Sequence, residues 1–105
     1  MVFLGKYDEL APGMGFPAMK DNLSPEPYKT KPLVLKYLQS GRAHIATAAR
    51  IVDVYSGETT NFTLLHLNDG EFSWTTKLIY YIDRYNLRLP AEIENKILEK
   101  VRTKH

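Results

Sequence analysis

The sequence predicts an α+β fold with an irregular N-terminal arm, one helix, a three-stranded antiparallel meander and two C-terminal helices. Three observations predict it. An apolar stripe begins near residue 31, an Asp-Gly pair separates two apolar runs near residue 70, and two amphipathic segments follow Trp74. The chain has 105 residues, the usual size of one domain. We therefore expect a single domain with an arm at 1–29 and an α+β core at 30–105.

The N-terminal arm combines loop-forming residues with apolar side chains. Glycine and proline recur throughout it, and the run at 10–19 cannot maintain a helix or a central strand. The same run contains Met14, Phe16 and Met19, which are too apolar for a solvated tail. The arm is therefore expected either to lie across its own domain or to contact another chain.

The first helix is predicted at about 31–40. Thr30 precedes it as a hydroxyl cap, and Pro32 stands in the first turn, where its missing N–H costs nothing. Gly41 is expected to end this helix in the left-handed conformation.

Three antiparallel strands are predicted at about 45–55, 61–67 and 71–74. The first is rich in β-branched residues, and the Asp69-Gly70 pair between the other two is a strong hairpin signal, because its turn requires positive φ. Asp53, between two valines of the first strand, is expected to face solvent unless the sheet is covered on both sides.

Two helices complete the predicted fold. The first is expected at about 76–85, with an apolar face repeating at helical spacing and Asn86 as a left-handed cap. The second starts at Leu89-Pro90, with acidic residues in its first turn and basic residues near its end, as the helix dipole favours.

Composition excludes several classes of function. The net charge is only +2, from 14 basic and 12 acidic residues, and no segment has the basic density of a nucleic-acid interface. The absence of cysteine excludes disulfides and thiolate chemistry. The apolar stretch at the N-terminus is too short for a signal peptide, and no run reaches transmembrane length. A cytoplasmic location away from the membrane is therefore expected.

No catalytic, cofactor or metal motif is recognisable. The three histidines, His44, His66 and His105, lack partners at metal-ligand spacing, and no serine lies in a nucleophile elbow. No catalytic residue, cofactor or metal ion is therefore predicted. One enzymatic alternative stays open, in which Asp53, Glu71, His66 and Tyr80 converge on a pocket at the sheet face.

The aromatic residues concentrate near the second hairpin and the helix that follows it. Tyr80 cannot share one buried helix face with its neighbours at 78, 82 and 85. Such rings either pack at the edge of the core with their hydroxyl groups exposed to solvent or anchor a protein interface. The predicted partner surface combines them with the arm and comprises Tyr80, Tyr81, Met14, Phe16 and Met19.

The segment Leu67-Asn68-Asp69-Gly70-Glu71-Phe72-Ser73-Trp74-Thr75 is followed by Leu78-Ile79-Tyr80-Tyr81 and then by Leu89-Pro90. This order resembles a group of small uncharacterised bacterial proteins with an L-x-D-G-x-x-x-W-(S/T) hairpin, a Leu-x-Tyr-Tyr helix and a Leu-Pro helix start. The resemblance covers about the last 60 residues. It implies a fold and an immunity-like, partner-binding role, but no catalytic residues.

Three functional hypotheses follow. The first is a non-enzymatic protein-binding module, either immunity-like or a homodimer. The second is the small enzyme or ligand-binding protein with a sheet-face pocket. The third, weak nucleic-acid binding, requires Lys31, Lys36, Arg42 and Arg50 to lie on one face and is disfavoured by the charge balance.

Overall fold

The computed structural model describes residues 2–103 and confirms the α+β class. The elements in chain order are strand β1 (Val2–Phe3), a short 3-10 helix (Met19–Asn22), helix α1 (Lys31–Gln39), strands β2 (Arg42–Val52), β3 (Thr59–Asn68) and β4 (Phe72–Thr75), and helices α2 (Thr76–Tyr85) and α3 (Ala91–Thr103). Within residues 2–103, no helix is both long enough and apolar enough to cross a bilayer.

The sheet has four strands rather than the predicted three. Their order is β1-β4-β3-β2, with the predicted antiparallel meander formed by β2, β3 and β4. The additional strand comes from the arm, where Val2 pairs in parallel with Phe72 and Phe3 with Ser73. A strand of two residues is too short to show the alternation by which strands are recognised in a sequence.

One face of the sheet forms the core together with the helices. Along β4, Phe72 and Trp74 are buried, whereas Ser73 and Thr75 are only partly so, as the alternation of a strand requires. The Trp74 indole N–H donates to the Leu38 carbonyl of α1 at 3.0 Å. Helix α1 in turn contacts both α2 and α3, so the three helices lie together over this face.

The described part of the arm lies on its own domain. Leu4, Tyr7 and Met19 are buried in the main hydrophobic cluster. The Tyr7 hydroxyl donates to the Arg88 carbonyl at 2.8 Å, in the connection between α2 and α3.

The helix ends partly follow the predictions. Asn86 is left-handed, with φ 57° and ψ 41°, as predicted. Gly41 is not left-handed, which corrects the prediction. A Cβ at Gly41 would lie 2.5 Å from Cζ2 of Trp74, so glycine is required there by close packing. Thr30 does not cap α1 with its side chain, which instead donates to Glu94 Oε1 at 2.6 Å.

Candidate functional site

Asp53 is buried, which corrects the prediction that it faces solvent. Its side chain is 1% exposed and lies in the turn that follows β2. Oδ1 accepts the backbone N–H groups of Tyr55 at 2.8 Å and Ser56 at 3.1 Å. Oδ2 accepts the hydroxyl groups of Tyr80 at 2.6 Å and Tyr85 at 2.5 Å. The carboxylate therefore joins the end of β2 to helix α2.

The electrostatics of this cluster favour a structural role over acid–base catalysis. Burial by itself would raise the pKa of Asp53, but the four hydrogen bonds outweigh it and lower that pKa from 3.8 to about 2. The hydrogen bond to Asp53 raises the pKa of Tyr80 to about 12 and also raises that of Tyr85. At neutral pH the acceptor is charged and both phenols are protonated, so none of the three is poised to exchange a proton.

The lowered pKa of Asp53 makes a prediction about acid unfolding. A carboxyl whose pKa is lower in the folded state stabilises that state above its ordinary pKa, and this contribution is lost as the pH falls. We expect the free energy of unfolding, measured by urea denaturation, to decrease from about pH 4 towards pH 2. An Asp53→Asn variant should show a shallower decrease over the same interval. An unchanged pH dependence in that variant would contradict the assignment.

A second carboxylate, Asp69, joins the β3–β4 turn to two helices. It accepts hydrogen bonds from the Tyr37 hydroxyl of α1, from Lys100 Nζ of α3 at 3.0 Å and from the Phe72 backbone N–H at 2.7 Å. Burial opposes ionisation of Asp69, but these bonds outweigh it and lower its pKa. Lys100 also pairs with Glu71 at 2.7 Å. Glu71 therefore belongs to an ion-pair cluster with Lys100 and Asp69.

The four residues of the enzymatic alternative do not share one site. Tyr80 bonds Asp53 directly, whereas Glu71 pairs with Lys100 of α3. His66 lies beside His44, with ring centroids 6.2 Å apart. The single contact between two of the four is thus the hydrogen bond that holds Asp53 in place, and the sheet-face pocket loses its support.

The neighbouring histidines were not predicted from the sequence. A bulge makes His44 an extra residue between Ala43, which pairs with Leu67, and Ile45, which pairs with His66, and the two imidazoles lie close together there. His44 Nδ1 also lies 2.9 Å from the Asn68 amide nitrogen. Residues 2–103 contain no group of three side chains able to hold a metal ion, and His105 lies outside the described residues.

The predicted partner surface is only partly accessible. Met19 and Tyr81 are fully buried, so neither can contact a partner, which corrects that prediction. Met14 is 66% exposed, and Phe16 and Tyr80 are partly exposed. Tyr80 lines an open groove of about 730 Å³ between β3 and α2, where its ring lies 5.6 Å from that of Phe62. These three residues remain available to a partner.

The exposed edge of strand β2 is a feature that the sequence did not indicate. Strand β2 ends the strand order, so in the described part of the chain it pairs only with β3. Nine of its eleven residues are exposed, and only Ile51 is buried. Ile45 is 49% exposed, and Phe62 on the adjoining strand β3 is 57% exposed. The β2–β3 hairpin therefore offers an accessible strand edge bordered by apolar side chains.

The basic residues required for nucleic-acid binding include one that is already engaged. Lys31 Nζ donates to the Asp83 carbonyl at 2.9 Å and to Asn86 Oδ1 at 2.7 Å, where it joins the start of α1 to the end of α2. Lys36 is on α1, whereas Arg42 and Arg50 are on β2. The hypothesis therefore gains no support from these contacts.

Comparisons of the chain with protein-family models, curated proteins and solved structures found no match in any of the three. The resemblance to the small bacterial hairpin proteins therefore remains a prediction.

Proposed function

We propose that this protein is a non-enzymatic protein-binding module that contacts its partner through β2 and the adjoining part of β3. The observation that carries the proposal is the eleven-residue strand β2, which is exposed along most of its length and is paired on one side only within residues 2–103. A free strand edge presents a row of N–H and C=O groups that can pair with another chain.

The side chains around this edge suit a protein partner. Ile45, Val52 and Phe62 are each about half exposed, and they lie on the two strands of the hairpin. Main-chain pairing supplies affinity in strand addition, while pockets for alternate side chains supply specificity. The groove beside Phe62 and Tyr80 offers such a recess next to β3.

The contacts of the buried carboxylates also support a non-enzymatic function. Asp53 and Asp69, the two acidic residues most strongly perturbed by their surroundings, are each saturated by donors from their own domain. They stabilise the hairpin ends, so the contacts that perturb their pKa values are structural ones within the domain. An immunity-like role and a homodimer are both forms of this proposal, and the identity of the partner distinguishes them.

Site-specific photocrosslinking tests the proposal in cells that naturally encode the protein. A photoreactive amino acid replaces Ile45 in one version and exposed Glu99 of α3 in a matched control. We expect a discrete crosslinked product from position 45 and none from position 99. Its mass identifies a homodimer if it is twice that of the chain. No product at position 45, or equal products from both positions, would contradict the proposal.

A further inference from the structure

The charged side chains within strands β2 and β3 are all basic, whereas the turn between the strands contains Asp53 and Glu58. Strand β2 contains Arg42 and Arg50 and no acidic residue, and β3 contains no Lys, Arg, Asp or Glu. Both arginines are exposed, and neither belongs to any ion pair among the described residues. The side-chain contact of Arg50 is a long one, 3.5 Å to the amide oxygen of Asn61. Two guanidinium groups are thus available at opposite ends of the free edge.

This charge pattern disfavours a second copy of the chain as the occupant of the edge. Two antiparallel β2 strands paired edge to edge would place Arg42 of one copy near Arg50 of the other at each end, without a carboxylate from either strand. Like charges facing each other across paired strands are destabilising.

We propose that the segment bound at β2 is an extended acidic stretch of another protein, added as a strand beside β2 with carboxylates near Arg42 and Arg50. This inference rests on the proposed function and specifies its partner. Arg42 and Arg50 pair with Asn68 and Thr63 of β3, which are five positions apart, so the bulged strand β2 separates the two arginines by about 17 Å. A segment of about six residues with acidic side chains towards both ends would span them.

The exposed main chain favours a peptide over a nucleic acid. The groups of a strand edge match the N–H and C=O spacing of another strand, which a sugar-phosphate backbone lacks. Two arginines are also few for phosphate recognition, which usually depends on a larger basic patch.

The test is a nuclear magnetic resonance titration of the full-length ¹⁵N-labelled chain with a synthetic peptide. The peptide has seven residues, blocked ends, and glutamates alternating with valine and threonine. We expect amide shift changes concentrated in residues 42–52 and weakened by added salt. A version with lysine in place of glutamate, and a version N-methylated at alternate residues so that it cannot pair as a strand, should both fail to produce them.

Two double variants with reversed charges, one on β2 and one on the helices, serve as the test and its control. Arg42→Glu with Arg50→Glu should weaken binding of the peptide at least about fivefold, the effect of losing two exposed charge pairs. Lys36→Glu with Lys96→Glu changes the net charge equally at exposed helix positions and should leave the affinity within about twofold. Both double variants should keep the dispersed spectrum of the folded chain.

Several results would overturn the inference. They are no response at residues 42–52, equal binding of the lysine or N-methylated peptide, equal weakening by both double variants, or tighter binding of a mixed oligonucleotide at the same amides. These failures are separate from a failure of the proposed function. A partner crosslinked at position 45 without a peptide response at β2 would overturn only the acidic-strand inference.

Discussion

Replacing Asp53 with alanine is expected to lower the free energy of unfolding by about 3 kcal/mol. The change leaves the Tyr80 and Tyr85 hydroxyl groups and two backbone N–H groups without their acceptor. Hydrogen bonds to a charged group are among the stronger ones, and donors left unsatisfied in a buried place are costly. Urea denaturation followed by circular dichroism measures the effect.

Asp83→Ala is the matched control for this experiment. Asp83 is an exposed aspartate on the same helix as Tyr80, and its side chain makes no hydrogen bond within the described residues. Its replacement should change stability by no more than about 0.5 kcal/mol. A similar loss in the two variants would show that Asp53 does not hold β2 to α2.

Replacing Gly41 with alanine is expected to cost about 2 kcal/mol. Gly41 has an ordinary φ, and at such a position alanine normally stabilises a protein by about 0.5 kcal/mol through the unfolded state. Here the new Cβ would meet the buried ring of Trp74, which a hydrogen bond to Leu38 holds in place. A decrease in the free energy of unfolding, measured by urea denaturation, would therefore show that the end of α1 approaches β4 closely, whereas an increase would show that it does not.

A double-mutant cycle isolates this contact. Trp74→Phe removes Cζ2 and Cη2, the two ring atoms nearest the added methyl group. The cost of Gly41→Ala should therefore fall to less than about half in the Trp74→Phe background. An equal cost in both backgrounds would place the strain elsewhere.

Local signals predicted most of the secondary structure. Pro32 near the start of α1, the Asp69-Gly70 turn and the left-handed Asn86 each act within a few residues of themselves, and each marks a real boundary. Strand positions were less accurate, because the predicted first strand at 45–55 lies at Arg42–Val52. The β-branched residues that indicated it show where a strand passes, but not where its pairing begins.

The predictions that the structure corrects concern residues whose surroundings depend on side chains far away in the sequence. Asp53 was expected to face solvent because its valine neighbours alternate with it, yet phenols about thirty residues away enclose it. Gly41 has the residue type of a helix end, but its role depends on Trp74. Tertiary contacts of this kind leave no periodic trace in the sequence.

The exposed edge of β2 could not be predicted from the sequence for a similar reason. Alternation can indicate a strand, but it does not show that nine of the eleven residues of β2 remain exposed. The seven tyrosines suggested an interface, whereas Tyr37, Tyr80 and Tyr85 donate to buried or partly buried carboxylates. Much of the aromatic excess thus serves to hold the sheet to the helices.

The order of the strands also bears on the route by which the chain folds. From β2 to α2 each element contacts the next one in sequence, so this part can assemble by closing short loops. The contact of Val2 with Phe72 instead joins positions about seventy residues apart and needs a finished β4 as its template. We therefore expect the arm to dock after the meander has formed.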